Sequence, residues 1–351
     1  MCGIAGFVND MPIDVKCPVL QRMTDMIAHR GPDSEGHYID EHAALGHRRL
    51  SIIDLGGGQQ PIYNEDGSKV ITFNGEIYNY QTLREELIAA GHTFTTKSDT
   101  EVLLHGYEQW GVDLLQRVRG MFTFVIWDKN KQELFGARDH FGIKPFYYAK
   151  MNGTFMYASE IKSLLRHPDF VKELNAEALK PYMTFQYPAI GETFFKGVYK
   201  LPEGHYFTYR DGKMDIHRYY DEDFREGKQK LGELVNSIDQ TVCDSVKAHQ
   251  IADVEVGSFL SSGVDSSYVA AVARPQHTYS IGFGKGTYNE SQQAGELAEL
   301  LKLNNTAESL TDEEAFAAFP RIQWHLDEPD SNPSCVPLYF LCLLYTSPSP
   351  R

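Results

Sequence analysis

Cys2 is the first residue of the chain able to do chemistry. Removal of Met1 would give it a free α-amine. The ordinary pKa of such an amine, about 7.7–8.0, leaves it partly neutral near physiological pH. Nucleophile and base would then share one residue, as in hydrolases with an N-terminal threonine. The competing reading of Cys2 is a small buried hydrophobe. A second centre is Phe259-Leu260-Ser261-Ser262-Gly263-Val264-Asp265-Ser266-Ser267. A Ser/Gly turn between a strand and a helix points backbone N–H groups at an anion. No GKS or GKT follows it, so it is not a Walker loop.

These residues need elements to hold them. The first half of the chain reads as β-rich. Val70–Phe73 and Phe122–Trp127 are runs of β-branched and aromatic residues, and Gln132–Ala137 and Phe155–Ala158 continue the pattern. Asn74-Gly75 and Asp128-Lys129-Asn130 read as turn residues between strands. Two helices interrupt, over 81–90 with Leu83, Leu87 and Ile88 on one face, and over 100–110 with Val102, Leu103, Tyr107 and Trp110. Lys200–Tyr206 and Tyr209–Lys213 read as strand-turn-strand. The expectation is an antiparallel α+β domain over residues 2–218.

Asp221–Lys230, DEDFREGKQK, is rich in charge, and 219–230 is the expected linker. Beyond it the apolar period becomes helical at Leu234, Val235, Ile238, Val242 and Val246. Val254–Leu260 reads as a buried strand, Tyr268–Ala273 as a helix, Tyr279–Phe283 as a strand and Glu290–Leu301 as a helix. Thr311-Asp312-Glu313-Glu314 is a capping box opening another helix. Such alternation implies a parallel α/β sheet.

Composition narrows the function classes. The 351 residues include 48 acidic and 33 basic ones, a net charge of −15. That balance argues against sequence-independent nucleic-acid binding. No run of about 20 apolar residues offers a membrane span, and no signal peptide is expected. The 5 cysteines form no CxxC pair, so a reduced, cytoplasmic chain without a zinc ribbon is expected. No metal-ligating set stands out.

MCGIAGF, HRGPD, RRLSIID, FNGEIYNY and SDTEVLLHGYEQWG, in that order and spacing, resemble the class II glutamine amidotransferases. The fold this implies is the N-terminal nucleophile type, an antiparallel β sandwich with flanking helices. The resemblance makes Cys2 the nucleophile, with Asn74 and Gly75 as the oxyanion hole. It assigns glutamine binding to Arg49, Leu50, Ser51, Ile52, Ile53, Asn74, Gly75, Glu76 and Asp99. Arg49 would take the α-carboxylate, and Glu76 and Asp99 the α-ammonium. Each has a plainer alternative. Arg49 could be a surface pair with Arg48, Asn74-Gly75 a type I′ hairpin turn, and Asp99 a helix N-cap. No histidine is required, so His29 and His47 read as structural.

HRGPD with RRLSIID resembles the asparagine synthetase branch, as do Arg138–Pro145 and Ala158–Lys162. The Phe259–Ser267 loop resembles the pyrophosphate loop of ATP pyrophosphatases, SGGxDS, with Ser262 in place of the first glycine. The resemblance implies an ATP-pyrophosphatase domain, here partial, over 231–341. ATP would be bound by Leu260, Ser261, Ser262, Gly263, Asp265, Ser266 and Ile281, with Mg²⁺ arriving with it. Glutamine and aspartate would be the other substrates, and a homodimer is the implied assembly. Residues 342–351, CLLYTSPSPR, are expected to be a non-native tail, being what a sequencing adapter read in frame would encode.

Overall fold

A computed structural model describes residues 1–283 and 290–346. The chain divides into two compact units, Met1–Phe224 and Arg225–Arg351.

The first unit carries twelve strands: β1 (Gly3–Val8), β2 (Ser34–Ile39), β3 (Ala43–Arg49), β4 (Ile62–Tyr63), β5 (Lys69–Ile77), β6 (Gly120–Asp128), β7 (Glu133–Arg138), β8 (Tyr147–Met151), β9 (Thr154–Ala158), β10 (Val198–Lys200), β11 (His205–Arg210) and β12 (Lys213–Arg218). Its helices are α1 (Ile13–Asp25), α2 (Tyr80–Ala89), α3 (Asp99–Trp110), α4 (Ile161–Leu164) and α5 (Leu179–Phe185). The strands form two six-stranded sheets, ordered β10-β8-β9-β1-β3-β2 and β12-β11-β7-β6-β5-β4. All strand pairs in both sheets are antiparallel.

The sheets face each other through Ile4, Leu45, Val70, Val125, Trp127, Phe155, Tyr157 and Phe207. Outside one sheet α1 and α4 bury Val19, Leu20, Met23, Ile161 and Leu164 against Ala5, Phe7 and Met156. Outside the other, α2 and α3 bury Leu83, Leu87, Val102 and Leu103 against Phe73, Phe122, Phe124 and Ile126. The strands are therefore covered on both faces. This is why β6 reads F-T-F-V-I-W as a continuous apolar run, with Phe122, Phe124 and Ile126 on one side and Val125 and Trp127 on the other. Each large side chain so buried contributes about 1.5–3 kcal/mol.

The second unit contains α6 (Leu231–Ala248), β13 (Ser258–Phe259), α7 (Val264–Ala273), β14 (His277–Phe283), α8 (Glu290–Leu301), β15 (Asn304–Leu310), α9 (Asp312–Leu326) and α10 (Cys335–Thr346). Among the described residues its strands run parallel in the order β13-β14-β15. The Thr311 capping box forms as expected: Glu314 N–H donates to Thr311 Oγ1 at 3.2 Å and Thr311 N–H to Glu314 Oε2 at 3.0 Å.

Two expectations need correction. The strand expected over 254–260 is only Ser258–Phe259, because among the described residues it pairs with β14 alone and has no neighbour on its other side. Its Phe259 is exposed rather than buried. Asn74-Gly75 make no hairpin turn but sit inside β5, whereas Asn152-Gly153 and Asp211-Gly212, with positive φ at both residues, turn the β8–β9 and β11–β12 hairpins. Helix α10 runs through Cys342 to Thr346, across the start of the expected tail; residues 347–351 lie outside the described residues. Among the described residues no helix is long and apolar enough to cross a membrane.

Candidate active site

Strand β5 builds the site. Its residues pair with β6 as Phe73↔Phe124, Asn74↔Thr123, Gly75↔Phe122 and Ile77↔Gly120. Phe122 exchanges hydrogen bonds with Asp139 on its other side, donating at 3.1 Å and accepting at 2.8 Å. Its partner Gly75 is therefore in a non-hydrogen-bonded pair, with its own N–H pointing away from β6. The flanking residues of the same parity agree. Phe73 N–H donates to Gln60 Oε1 at 2.6 Å and Ile77 N–H to Asp99 Oδ2 at 3.0 Å. Gly75 N–H thus points between Gln60 and Asp99, both of which line a cavity of about 280 Å³.

The glycine is demanded by crowding. A Cβ at 75 would stand 2.2 Å from Met121 O and 2.7 Å from Phe122 Cα. Beside it the Asn74 amide is buried, and neither its nitrogen nor its oxygen has a hydrogen-bond partner. An unsatisfied buried amide costs about 1–3 kcal/mol, so it marks a group held ready for something absent.

Cys2 lines the same cavity. Its Sγ lies 3.4 Å from Leu50 N and 3.5 Å from Leu50 O. Burial pushes the thiol up, more than the Leu50 bond pulls it down. A thiol so placed stays protonated and needs a base. With Met1 attached, the α-amine is that of Met1, and burial lowers it to about 6. Met1 Sδ accepts from the buried Lys144 ammonium at 3.1 Å.

The backbone of Cys2 is clamped from below. Arg30 Nε donates to Cys2 O at 2.9 Å and its Nη1 to Glu160 Oε1 at 2.9 Å. Glu160 also receives His29 at 3.0 Å and Lys162 at 2.5 Å. Burial works to raise Glu160, but the His29 bond and the Lys162 and Arg30 charges win and hold it at about 2.

HRGPD and RRLS interlock. Asp33 N–H donates to Arg49 O at 3.0 Å and Ser51 N–H to Asp33 Oδ2 at 2.8 Å. Gly31 packs so closely that a Cβ would stand 2.2 Å from Arg48 C and 2.4 Å from Arg49 N. Arg49 is buried, not paired on the surface with Arg48. Its guanidinium donates to the carbonyls of Ile53 at 3.0 Å, Asp54 at 2.6 Å and Leu55 at 3.4 Å. A guanidinium has five N–H donors, so some remain for a carboxylate in the cavity.

The far wall is Glu76 and Asp99. Asp99 is the first residue of α3, and the N-cap is Ser98, whose side chain accepts from Thr100 N–H. The capping alternative for Asp99 is thereby corrected: its oxygen points at β5 instead. Burial raises its pKa to about 7, opposed by the Ile77 bond and reinforced by Glu76. Of the expected glutamine-site residues, Cys2, Arg49, Leu50, Ile52, Ile53, Asn74, Gly75, Glu76 and Asp99 line the cavity, and Ser51 does not. Ser51 instead anchors the loop through Asp33.

Several lining residues were not expected. Gln60 bonds both N–H and C=O of Phe73, the latter at 3.2 Å, and so extends the β5 edge with a side chain. Ile143 and Lys144 come from a loop tied by Asp139, which accepts from the N–H groups of Phe141 at 3.1 Å, Ile143 at 2.9 Å and Lys144 at 2.9 Å. The RDHFGIKP segment carries this signal, but nothing in it says which cavity it lines. The fold also gathers Glu65, His92, His105 and Glu108 away from the cavity.

In the second unit the Ser/Gly loop lies between β13 and α7. Ser261 Oγ sits 2.8 Å from Ser266 Oγ and accepts from Gly263 N–H at 3.1 Å. Ser262, Gly263 and Asp265 are exposed at the helix start. The loop thus stands at the carboxyl end of a parallel strand, where open α/β sheets bind ligands. Ile281 is in β14, and Ser280 Oγ donates to Leu260 O at 2.8 Å. The Leu260 side chain packs in the core with Ala270, Ala294 and Ala298, so only its backbone can face a ligand.

Comparison with known proteins agrees with both halves. Residues 1–220 match the model of a glutamine amidotransferase domain, and 237–347 that of asparagine synthase. Asparagine synthetase [glutamine-hydrolyzing] 1 of Bacillus subtilis is 43% identical over 349 residues, covering 97% of this chain and 55% of that protein. A Methanocaldococcus jannaschii protein carrying the same family name is 32% identical over 368 residues, covering 97% of this chain and 70% of its own length. Amidase chry2 of Gibberella zeae is 31% identical over 371 residues, covering 94% and 54%. The chain spans about half the length of most curated relatives it matches. A glutamine amidotransferase sandwich followed by an asparagine synthase segment, matched along nearly the whole chain, means that the chain belongs to the glutamine-hydrolysing asparagine synthetase family.

Proposed function

We propose that the first unit hydrolyses glutamine at Cys2 and that the protein uses the ammonia to convert aspartate to asparagine. The observation that carries the reading is the buried, unpartnered amide of Asn74 sharing one cavity with Cys2, Arg49 and Asp99. Arg49 binds the glutamine α-carboxylate, and Glu76 with Asp99 binds the α-ammonium. The side-chain amide of glutamine then lies toward Cys2. Once Met1 is removed, the Cys2 α-amine accepts the thiol proton. The thiolate attacks the amide carbon, and its oxygen takes the negative charge. Asn74 Nδ2–H and Gly75 N–H donate to that oxygen. The protonated amine gives its proton to the departing ammonia, and water cleaves the thioester to glutamate.

The second unit supplies the ATP loop. Ser261, Ser262, Gly263 and Ser266 surround the start of α7, where exposed N–H groups suit the pyrophosphate of ATP. Leu260, the residue after β13, and Ile281, within β14, flank it. Mg²⁺ binds few carboxylates and several phosphate oxygens, and the exposed Asp265 is the carboxylate at hand. ATP activates the β-carboxylate of aspartate as β-aspartyl-AMP, releasing pyrophosphate, and ammonia displaces AMP.

Glutamate release and asparagine formation are assayed separately. Cys2→Ala is expected to abolish the first. Glutamate release surviving in that variant refutes the nucleophile. In the full-length protein, ammonia-dependent asparagine formation should persist in Cys2→Ala. Use of a different carboxylate acceptor there would move the protein to another amide-forming branch of the scaffold.

A further inference from the structure

We infer that Glu65, His92, His105 and Glu108 form a binding site for one divalent transition ion of the zinc type. One donor atom from each residue falls within 4.8 Å of all the others. His105 Nδ1 lies 2.9 Å from Glu108 Oε2 and 3.4 Å from Glu65 Oε2, and His92 Nδ1 lies 3.4 Å from Glu65 Oε1. Four ligands about 2.0–2.2 Å from a tetrahedral ion stand about 3.3–3.5 Å apart. Each of these three pairs is within about half an ångström of that spacing, the Glu65 carboxylate facing His105 with one oxygen and His92 with the other.

The surroundings are those of ligands, not of a chance cluster. Metal-bound histidines give their other ring N–H to a carboxylate or carbonyl oxygen. His105 Nε2 faces Glu101 Oε1 at 3.6 Å, and that nitrogen is buried without a hydrogen bond. Glu101 is itself fixed by the N–H and hydroxyl groups of Thr95 and Thr96, at 2.6–2.9 Å. His92 Nε2 reaches Gln109 Oε1 at 3.2 Å. Glu108 Oε1 accepts from Asn64 Nδ2 at 2.6 Å, and Glu65 Oε1 from Thr93 N–H at 3.2 Å. Glu65, His92 and Glu108 thus each have an outer hydrogen-bond partner, and the Glu101 carboxylate faces the other ring nitrogen of His105.

Charge points the same way. Three carboxylates, Glu65, Glu101 and Glu108, converge on His105, and Lys69 Nζ lies 3.5 Å from Glu108 Oε1. A divalent ion balances two ligating glutamates with two neutral imidazoles. Two nitrogens and two carboxylate oxygens suit zinc rather than magnesium or calcium, which prefer all-oxygen shells. The ion would tie the loop carrying Glu65 and the loop carrying His92 to the carboxyl-terminal half of α3.

The test is metal titration of the whole chain after chelation, with Zn²⁺ for affinity and Co²⁺ for its spectrum. The expected result is one tight equivalent, with the visible bands of four-coordinate Co²⁺ and no thiolate charge-transfer band. The double variant Glu65→Gln/His92→Gln, at the accessible half of the cluster, should lose that equivalent and leave glutamate release unchanged. Gln109→Ala should weaken it about 10–100-fold. Absence of binding, unchanged binding in the double variant, or a thiolate spectrum each overturns the site.

Discussion

At the residue scale the cavity trades stability for readiness. Asp99 has a folded-state pKa of about 7 against an ordinary 3.8, chiefly through burial. Its folded form therefore holds a proton that the unfolded form releases between these values. The associated stability is full below about pH 4 and is lost as pH rises through about 7. Asp99→Asn is expected to raise the melting temperature above neutral pH, by the equivalent of a few kcal/mol at most. The same change should raise the glutamine KM. In the unmodified protein KM should climb as pH falls below about 7, where the carboxylate protonates, and in Asp99→Asn that climb should vanish. Thermal melts and KM measured from pH 5 to 9 check both, and a pH-independent wild-type KM would remove Asp99 from ammonium binding. A second residue prediction concerns Met1. A permanent N-terminal extension denies Cys2 its amine, and glutamate release should drop about 10²–10⁴-fold, the span of a lost general base. The lining set was legible in the sequence where several motif residues share one task, as with Cys2, Arg49 and Asp99. Gln60 and Lys144 were not, because a glutamine patching a strand edge and a lysine on a tied loop carry no pattern of their own.

At the element scale two glycines hold the motifs in place. Gly31 lets the HRGPD turn lie against the backbone of β3 at Arg48–Arg49. Gly31→Ala must push that backbone, and Arg49 moves with it. A displacement of about 1 Å in a positioning group costs on the order of 10²-fold, so kcat/KM for glutamine should fall by about that factor. Gly75→Ala presses on Met121 O of β6; overpacking of this kind costs about 1–3 kcal/mol, readable as a lower urea midpoint. Wild-type kinetics in Gly31→Ala would show that β3 yields without moving the arginine. Asn74-Gly75 also shows where local reading fails. The dipeptide favours a type I′ turn, but nine residues of β5 pair across it with β6. The tertiary pairing outweighs the dipeptide preference, and the glycine serves close approach instead. Runs such as Phe122–Trp127 were legible because burial on both faces leaves no polar alternation to confuse. Val254–Leu260 is interrupted by Glu255, Gly257 and Ser258, and only Ser258–Phe259 finds a strand partner.

At the scale of the whole molecule, all the cavity residues around Cys2 fall within Met1–Phe224, as do the Arg30–Glu160 clamp and the Asp139 loop. The first unit also has its own three apolar layers, with aromatic side chains in each. Among the described residues, the second unit's buried cluster is Leu260 with three alanines, and Val246, Leu310, Ile322 and Leu344 are buried apart from it, which is less apolar burial than in the first unit. Glutamine hydrolysis should therefore be a property of the first unit. Residues 1–224 expressed alone are expected to release glutamate with the kcat/KM of the 351-residue chain, with neither ATP nor aspartate present. Denaturation followed by tryptophan fluorescence offers a physical check, because Trp110 and Trp127 report the first unit and Trp324 the second. Two separated transitions, the less stable one invisible to glutamate release, are expected. A single transition with activity lost at the same denaturant concentration, together with inactive residues 1–224, would mean that the first unit's sandwich depends on the second unit for its fold.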